Sequence, residues 1–416
     1  MLKETLLLAK NIRTDGYDGS LEAYRRAGGY TALEKVMKSM TPDQVIEVVK
    51  ASGLRGRGGA GFPTGMKWGF IPKDRKPTYM VCNADEAEPG TFKDHFLINN
   101  DPHLFLEGMI LGSYAIGCNH GYIYIRGRSV RPAQRINEAI EYLYKAGLLG
   151  KNILGSGFSL DLTVHRGAGA YICGEETALL ESLEGKRGQP RVKPPFPATH
   201  GYNACPTSVN NVETLACVPF IVKEGAEAFK KIGTPNNYGT RLVGISGHAA
   251  KPGIYEVAMG VSMKQIINDL GGGVRGGKKL KAVIPGGSSS NVLRPEEIDI
   301  PFDFDSVAKA GSMLGTAALM LFDEDTDIVE LAYRTILFYN HESCGQCTPC
   351  REGTFWLRNL VRDFRENLGD SQKLERIGRV SQQMFGTSLC ALNDAAAGPI
   401  KAFVTKYPEE FKKHFI

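Results

Sequence analysis

The cysteines near the end of the chain place the strongest constraint on its fold. Cys344, Cys347 and Cys350 follow one another at intervals of three positions, and Cys390 lies 40 positions further on. Three thiolates at this spacing can bind one side of a compact cluster, and a fourth from a distant segment completes an all-thiolate ligand set. The pattern therefore predicts one 4Fe–4S cluster.

Two other interpretations of these cysteines remain. Zinc usually takes two Cys-x-x-Cys or Cys/His pairs, one from each of two segments, whereas here the second segment supplies only Cys390. Unliganded thiols are the other alternative. His341 is close enough in sequence to be a rival ligand, but a place at a helix end or beside the ligands is expected for it. The spacing favours iron and sulfur over both alternatives.

Length and composition limit the classes of protein to be considered. A chain of 416 residues with 42% hydrophobic content exceeds one ordinary core, so two or three domains are expected. No apolar run approaches the roughly 20 residues of a membrane span, and the first residues lack a signal-peptide pattern. We therefore expect a cytoplasmic protein without direct membrane insertion. The net charge of +5 gives no reason to expect nucleic-acid binding, and the arginines between 126 and 135 are predicted on a solvated helix start.

Strand-like and helix-like segments alternate in the first half of the chain. Segments 79–83, 121–126 and 160–165 have the pattern of short strands, and segments 104–114 and 134–146 that of helices. This alternation predicts an α/β, Rossmann-like domain with a largely parallel sheet. It extends over 41–238, after an N-terminal arm or peripheral helices at 1–40.

The second half of the chain has two further sequence patterns. Short strands and one helix over 239–326 suit a β-grasp-like, ubiquitin-like module. From 327 to 416 the apolar residues recur at helical intervals, which predicts a helical bundle that carries the cysteines.

A glycine-rich loop joins a predicted helix to the next element. Residues 53–67 contain six glycines and two arginines, and such a loop exposes backbone N–H groups that can hold a phosphate. It is not a Walker loop, because no Gly-Lys-Ser/Thr follows, and it does not follow a strand. A structural turn is the simpler interpretation. Beside an iron–sulfur site, however, the loop suggests a flavin, which converts the hydride of a nicotinamide into single electrons.

Three more polar segments could contribute to a cofactor site. Residues 82–91 form an acidic stretch after a strand, although Asn and Asp also favour plain turns. Residues 167–180 combine small residues with two carboxylates at a helix start, which would be stabilising without any ligand. The stiff loop 193–197, Lys-Pro-Pro-Phe-Pro, can present a cation and an aromatic ring.

Together these segments resemble the flavin- and NADH-binding subunit of respiratory complex I, over nearly the whole chain. The motifs that carry the resemblance are Gly-Arg-Gly-Gly-Ala-Gly-Phe-Pro-Thr-Gly, Cys-Asn-Ala-Asp-Glu-Ala-Glu-Pro-Gly-Thr, Gly-Ala-Gly-Ala-Tyr-Ile-Cys-Gly-Glu-Glu-Thr-Ala-Leu, Lys-Pro-Pro-Phe-Pro and Glu-Ser-Cys-Gly-Gln-Cys-Thr-Pro-Cys-Arg-Glu-Gly. In combination they are highly specific.

The resemblance implies an NADH:quinone oxidoreductase flavoprotein subunit with FMN, one 4Fe–4S cluster and NADH as substrate. Implied FMN-binding residues are Gly56, Arg57, Gly58, Lys67, Asn83, Asp85, Glu86, Tyr171, Gly174, Glu175, Glu176, Asn210 and Asn211. Implied NADH-binding residues are Phe62, Phe70, Glu88, Tyr171, Glu176, Lys193 and Phe196. No side chain is expected to act as acid or base, because hydride passes directly between stacked cofactors.

The resemblance also implies partners and a location. The expected partner is a thioredoxin-like 2Fe–2S subunit of the 24 kDa type, within the peripheral arm of complex I on the inner face of the cell membrane. The diaphorase subunit of a soluble NAD-linked hydrogenase or formate dehydrogenase is a near alternative. A zinc-stabilised, non-catalytic scaffold is a remote one.

One segment departs from the family pattern. Relatives usually have Arg-Gly-Glu-Tyr after the second strand, where this chain has Arg126-Gly127-Arg128-Ser129. An acidic and aromatic pair is thus replaced by a basic and a small residue. Surface variation is the simple explanation, although a loop behind the flavin could alter local charge.

Overall fold

A four-stranded parallel sheet forms the centre of the first half of the chain. The computed structural model describes all 416 residues. The strands are β1 (Tyr79–Ala84), β2 (His120–Arg126), β3 (Asp161–Gly167) and β4 (Thr207–Asn211), in the order β3-β2-β1-β4. All three pairings are parallel. This arrangement confirms the predicted α/β, Rossmann-like fold.

Helices cover the sheet and extend its core. Thr41 caps the helix Pro42–Ala51 in a capping box with Gln44, as Ser/Thr-x-x-Gln patterns predict. The helix Pro102–Ile116 is buried along almost its whole length. The helices of this region are Leu21–Arg26, Thr31–Ser39, Pro42–Ala51, Thr64–Gly69, Lys93–Asn100, Pro102–Ile116, Val130–Lys145, Glu176–Leu183, Pro197–His200, Val212–Glu224 and Ala226–Lys230.

The first forty residues pack closely onto this core. Glu107 accepts hydrogen bonds from Tyr24 Oη at 2.6 Å, from Tyr30 N at 2.9 Å and from Leu33 N at 3.1 Å. Closer to the N-terminus, the backbone N–H groups of Leu7, Leu8 and Ala9 donate to the carboxylate of Glu256. Each buried carboxylate is thereby hydrogen-bonded to the N-terminal segment, which satisfies its need for partners.

A mixed sheet follows in the chain. A small hairpin, β5 (Gly233–Thr234) and β6 (Asn237–Tyr238), precedes β7 (Thr240–Gly247), β8 (Gly253–Ala258), β9 (Leu280–Ile284) and β10 (Ala318–Asp323). The sheet order is β8-β7-β10-β9, with β10 parallel to β7 and the other pairs antiparallel. The helix Met263–Gln265 continues into a π-helical turn at Ile266–Leu270, and Phe304–Lys309 is a second helix. The predicted β-grasp-like module is confirmed.

The chain ends in helices, as predicted. They are Ile328–Glu342, Thr348–Arg365, Ser371–Met384, Leu392–Lys406 and Pro408–Lys412. Residues of this bundle pack against Val81, Tyr124 and Val209 on one face of the parallel sheet, whereas Met80, Cys82 and Ile123 belong to the core on the other face. The alternation of side chains along each strand therefore divides the sheet between two cores. No helix has both the length and the apolar character that crossing a lipid bilayer demands.

Candidate functional site

A cavity of about 540 Å³ lies at the carboxyl ends of β1 and β4. The strand order reverses between these two strands, and ligands of open α/β sheets bind at such a switch point. The volume lies in the range of small-molecule and cofactor sites. Nine residues expected from the sequence line the cavity, namely Gly58, Asn83, Asp85, Glu86, Glu88, Tyr171, Gly174, Glu175 and Asn211.

The glycine-rich loop presents its main chain to this cavity. Gly56 N donates to Phe62 O at 2.8 Å, and Arg57 N donates to Thr214 Oγ1 at 2.7 Å, so the loop is anchored on both sides. A Cβ atom at Gly58 would lie 3.2 Å from Asn211 Cβ, closer than most such contacts. The absence of side chains at Gly58 and its neighbour leaves room for a ligand beside exposed backbone groups.

The side chain of Arg57 points away from the cavity. Its Nη2 donates to Tyr238 O at 2.8 Å, and the residue is only 1% exposed. Asn210 is also turned inward, because its Oδ1 accepts from Trp68 Nε1 at 3.1 Å and its Nδ2 donates to Ser208 Oγ at 3.0 Å. Neither side chain lines the cavity, so any contact of these residues with a ligand there involves main-chain atoms.

Asp85 is the most unusual group in the wall. Both of its carboxylate oxygens are buried without a hydrogen-bond partner. Burial raises the pKa of Asp85 to about 7, since desolvation disfavours the charged form. Asn83 fixes the turn beside it, donating to Gly174 O at 2.9 Å and accepting from Asp85 N at 3.0 Å. An orphaned carboxyl group facing a cavity fits a ligand that supplies hydrogen-bond donors.

A buried network of charges forms the floor. Lys93 Nζ lies 2.8 Å from Asp94 Oδ1 and 2.8 Å from Glu213 Oε2. Asp94 also accepts from Asn211 Nδ2 at 2.7 Å. Burial alone would lower the pKa of Lys93, but the two carboxylates raise it overall. Lys93 therefore stays charged in the cavity wall, where Asp94 and Glu213 offset its positive charge.

Glu88 connects three parts of the chain at one end of the cavity. It accepts from Tyr171 Oη, which follows β3, and from Ser289 N at 2.7 Å in the mixed-sheet module. Ser288 Oγ lies 2.8 Å from Tyr339 Oη of the helical bundle. Gly287 has a φ of +93°, and a Cβ atom there would lie 2.6 Å from Glu88 Cγ. Burial raises the pKa of Glu88, opposed by these hydrogen bonds.

An ion-pair group lies beside the cavity at the start of the helix Glu176–Leu183. Glu175 caps this helix by accepting from Thr177 N and Ala178 N. Lys193 Nζ lies 3.1 Å from Glu175 and 3.5 Å from Glu176, and Lys67 Nζ lies 3.0 Å from Glu176. Burial alone would raise the pKa of Glu176, but the two lysines lower it overall. The sequence-predicted charges are thus together, although Lys67, Glu176 and Lys193 do not line the cavity itself.

The three predicted aromatic residues are exposed. Phe62, Phe70 and Phe196 have relative exposures of 48%, 54% and 58%. The rings of Phe62 and Phe70 are 6.3 Å apart and tilted by 50°. Exposed large aromatic side chains close to one another are typical of binding surfaces for planar groups.

The four cysteines of the C-terminal pattern line one small pocket. Cys344, Cys347 and Cys350 lie at the junction of the helices Ile328–Glu342 and Thr348–Arg365, and Cys390 precedes the helix Leu392–Lys406. Burial raises the pKa of the Cys390 thiol to about 12 and also that of Cys350. The four thiols fit an all-cysteine cluster.

The same geometry does not favour a single zinc ion. A tetrahedral ion binds each sulfur at about 2.3 Å and therefore draws its ligands close together. Nowhere in the chain are three or more His, Cys, Asp or Glu side chains arranged to hold one metal ion. His341 is exposed and pairs with Glu342 at 3.7 Å, outside the cysteine pocket.

Several residues of the cavity wall are not predicted by the sequence. Lys93 and Asp94 come just after the acidic stretch 82–91 and could have been included with it. Other wall residues come from distant loops and carry no local signal, among them Ser289, Asn291, Met313, Thr316, Phe385, Leu392 and Asp394. Arg126 corrects a different expectation, because it is only 7% exposed rather than on a solvated helix start.

Three family models match consecutive parts of the chain. Residues 49–220 match the Nuo51 FMN-binding domain, residues 241–329 the SLBB domain, and residues 330–414 the NADH-ubiquinone oxidoreductase-F iron–sulfur binding region. The first covers the parallel sheet and the glycine-rich loop, and the last covers the four cysteines.

Whole proteins match as well. The F-type subunit of the NADH-quinone oxidoreductase of Streptomyces coelicolor is 52% identical over 396 residues, which cover 95% of this chain and 88% of the relative. An F-type subunit of the same enzyme from Rhizobium meliloti is 50% identical, covering 98% and 97%. Among solved structures, an NAD⁺-reducing [NiFe]-hydrogenase in the H2-reduced state superimposes with a TM-score of 0.87 at 33% identity, over 100% of this chain and 67% of that one.

Proposed function

Since the chain belongs to the family of F-type subunits of NADH-quinone oxidoreductase, we propose which of its residues hold the reactants of NADH oxidation. The chain is an NADH dehydrogenase flavoprotein subunit with FMN, one 4Fe–4S cluster and NADH as substrate. FMN, when bound, takes up hydride from NADH, and the cluster takes up electrons one at a time.

One observation supports the assignment of the cavity and the cysteine pocket to a single electron path. The cavity and the cysteine pocket share Ile172, Cys390 and Leu392 in their walls. A molecule in the cavity is therefore separated from the cysteine pocket by only one layer of side chains. This supports Cys344, Cys347, Cys350 and Cys390 as the ligands of the cluster next to FMN.

FMN binding is assigned to residues of the cavity wall. Gly58 and its neighbours present backbone N–H groups to the phosphate, and Lys67 is assigned to the same side, as the family resemblance implies. Asn83, Asp85 and Glu86 would face the ribityl chain and the ring, where the unpaired oxygens of Asp85 accept hydrogen bonds. Arg57 and Asn210 contribute main-chain atoms and fix the loop and strand behind them.

NADH binding is assigned to Glu88 and Tyr171 in the cavity wall and to a group of residues beside the cavity. Phe62, Phe70 and Phe196 offer exposed ring faces to the adenine. Glu176 and Lys193 orient the ribose and phosphates, and Glu176 also pairs with Lys67 of the FMN set. Glu88 and Tyr171 hold each other at the nicotinamide end. These residues orient the dinucleotide and exclude water, and none of them transfers a proton in the hydride step.

Assembly and location are further proposals. The relatives are named as subunits of an NADH-quinone oxidoreductase, which supports a multi-subunit complex. Within it we place this chain on the peripheral arm, at the inner face of the cell membrane, with a thioredoxin-like 2Fe–2S subunit of the 24 kDa type as neighbour.

A second assignment has one observation in its favour. The superposition on the NAD⁺-reducing hydrogenase covers the whole chain, so a diaphorase role in a soluble NAD-linked hydrogenase or formate dehydrogenase uses the same fold. The identity of 52% to a quinone oxidoreductase subunit, against 33% to the hydrogenase chain, supports the first assignment. Co-purification from the native cell, with membrane quinone-reducing subunits or with a hydrogenase, separates the two.

The decisive experiment is anaerobic. The purified chain should show a flavin absorption spectrum that bleaches on addition of NADH, a new low-temperature EPR signal of a reduced four-iron cluster, and NADH-dependent reduction of ferricyanide. Flavin-loaded protein that fails to reduce ferricyanide, or a colourless protein with tightly bound zinc, would contradict the assignment.

A further inference from the structure

An open groove of about 810 Å³ lies behind the cofactor cavity and is lined by several cationic side chains. Arg126 ends β2, and Arg128 and Arg131 follow at the start of the helix Val130–Lys145. His95 reaches the groove from the helix Lys93–Asn100, where its hydrogen bond to Glu86 raises its pKa. The two cavities share Glu86, Ala87, Glu88 and Thr91.

The anionic side chains of the groove are already engaged. Glu86 accepts from His95 Nδ1 and from the backbone N–H groups of Asp94 and His95. Glu88 accepts from Tyr171 and Ser289. Glu342 accepts from Tyr171 N at 3.0 Å. These hydrogen bonds hold the carboxylates in place, and none of the three forms an ion pair with Arg126, Arg128 or Arg131.

The arginines form no ion pair or hydrogen bond with a carboxylate, although the positive charges of Arg126 and Arg128 oppose the effect of burial on the pKa of nearby Asp85. Arg126 is only 7% exposed, and its Nε is buried without a hydrogen-bond partner although the side chain lines the groove. Arg128 and Arg131 are exposed and form no ion pair. A guanidinium that is desolvated and unpaired is costly, and such groups are normally compensated by an anion.

The surroundings of Arg126 suit an oxyanion in particular. The helix Val130–Lys145 has 16 residues, and its N-terminus opens into the groove with no side-chain cap. Val130 N donates to Arg128 O at 2.9 Å and Pro132 has no N–H, so Arg131 N is the main-chain donor left at this helix start, where the helix dipole also favours an anion. Ser129 Oγ, 2.9 Å from His95 Nε2, is a further polar group at the same place. Three guanidinium groups can bind oxyanion pairs in a bidentate manner.

We propose that this groove is a binding site for a phosphate-type oxyanion, free or carried on a small molecule, held by Arg126, Arg128 and Arg131 at the start of the helix Val130–Lys145. The groove is a second cavity that shares Glu86, Ala87, Glu88 and Thr91 with the cavity proposed for FMN. It is a binding site, so its existence does not depend on the redox reaction.

The test measures binding to the holoprotein directly. Titration with inorganic phosphate and with pyrophosphate, in chloride buffer at constant ionic strength, is followed by calorimetry and by the melting temperature. We expect saturable binding with one site per chain and an increase in melting temperature. Arg128→Glu should weaken phosphate binding about tenfold or more, given the strength of charge-assisted hydrogen bonds. The control Arg379→Glu, an exposed arginine of the helix Ser371–Met384, should leave binding unchanged.

Arg126→Met distinguishes a ligand-binding arginine from a structural one. In chloride buffer it should melt no lower than the parent protein, because it removes a buried unpaired charge, and phosphate should no longer raise its melting temperature. Three results would overturn the proposal. They are the absence of saturable binding by the parent, an equal loss in Arg379→Glu, or a large drop in the melting temperature of Arg126→Met without phosphate, which would make Arg126 the structural partner of Asp85. The spectroscopic test of NADH oxidation uses the parent protein without added phosphate, so the two assignments can fail independently.

Discussion

Lys93 Nζ lies 2.8 Å from Glu213 Oε2, and both side chains are almost fully buried beneath the cofactor cavity. Lys93 begins a helix after β1, whereas Glu213 lies in the first turn of the helix after β4. Arg241 of β7 approaches the same carboxylate at 3.8 Å. One carboxylate thus links the two halves of the parallel-sheet region to the mixed-sheet module, next to Lys93 of the cavity wall.

Replacing this carboxylate should destabilise the protein strongly. Glu213→Gln leaves Lys93 and Arg241 buried without their shared partner, and breaking a buried pair from one side costs about 3–5 kcal/mol. Glu227→Gln, whose parent side chain is 82% exposed, should change stability by less than about 1 kcal/mol. Chemical denaturation of both variants checks the difference. Equal free energies of unfolding for the two variants would show that Glu213 does not compensate the buried charges of Lys93 and Arg241.

Removing one cluster ligand should cause loss of the iron–sulfur cluster while most of the flavin stays bound. Cys390→Ser is expected to lose most of its iron and its low-temperature EPR signal, because a four-iron cluster needs its full thiolate set. Flavin content should fall less, since Cys390 is only one part of the cavity wall. Cys205→Ser serves as the matched control, as Cys205 is a free, partly exposed cysteine outside the pocket. Full iron content in Cys390→Ser would reject this ligand.

Asp85 should give flavin-free protein a specific pH dependence. Its pKa is about 7 in the folded state because of burial, against an ordinary value of 3.8. The folded state therefore holds this proton more tightly, and its stability falls as pH rises from about 4 to about 7 and then levels off. Asp85→Asn cannot ionise at this position and should not lose stability between about pH 4 and about pH 7. The difference in unfolding free energy between this variant and the parent should therefore grow to about a few kcal/mol as the pH rises to about 7. Melting curves at pH 5 and pH 8 measure it, with the exposed Asp15→Asn as control. A gain independent of pH would be inconsistent with a protonated Asp85.

Lys193 should affect binding of NADH more than the chemical step. Lys193→Met removes a cation from Glu175 and Glu176 and from the phosphates proposed to lie there. We expect KM for NADH to rise about tenfold with kcat changed less, as for the loss of one charge-assisted contact. Lys38→Met, on an exposed face of the helix Thr31–Ser39, should leave both constants unchanged. A fall in kcat at unchanged KM would place Lys193 at the reacting centre instead.

The fold is largely predictable because its signals are local. The apolar, β-branched run at 121–126 predicts its strand, and the cap at Thr41 predicts the helix that follows it. Side-chain directions are less accessible. Arg57 turns toward Tyr238 and Arg126 is buried at the end of β2, and both facts follow from neighbours far away in sequence. Ser289 has no local feature that marks it as a partner of Glu88. The domain boundaries at 40, 238 and 326 stay predictions.

The position of Glu88 between Tyr171, Ser289 and the Ser288–Tyr339 contact has a consequence for biosynthesis. The cavity wall includes residues from Gly58 to Ala395, so no nascent chain shorter than 395 residues contains a complete wall. Cofactor insertion into the complete cavity therefore follows the synthesis of Ala395 and the docking of all three regions. A ligand that binds only the finished arrangement stabilises it by mass action. The flavin content of the purified protein therefore reports on correct maturation. Variants that loosen domain docking should be purified without flavin, and hence pale, whereas a variant with intact docking but impaired chemistry should be yellow and inactive.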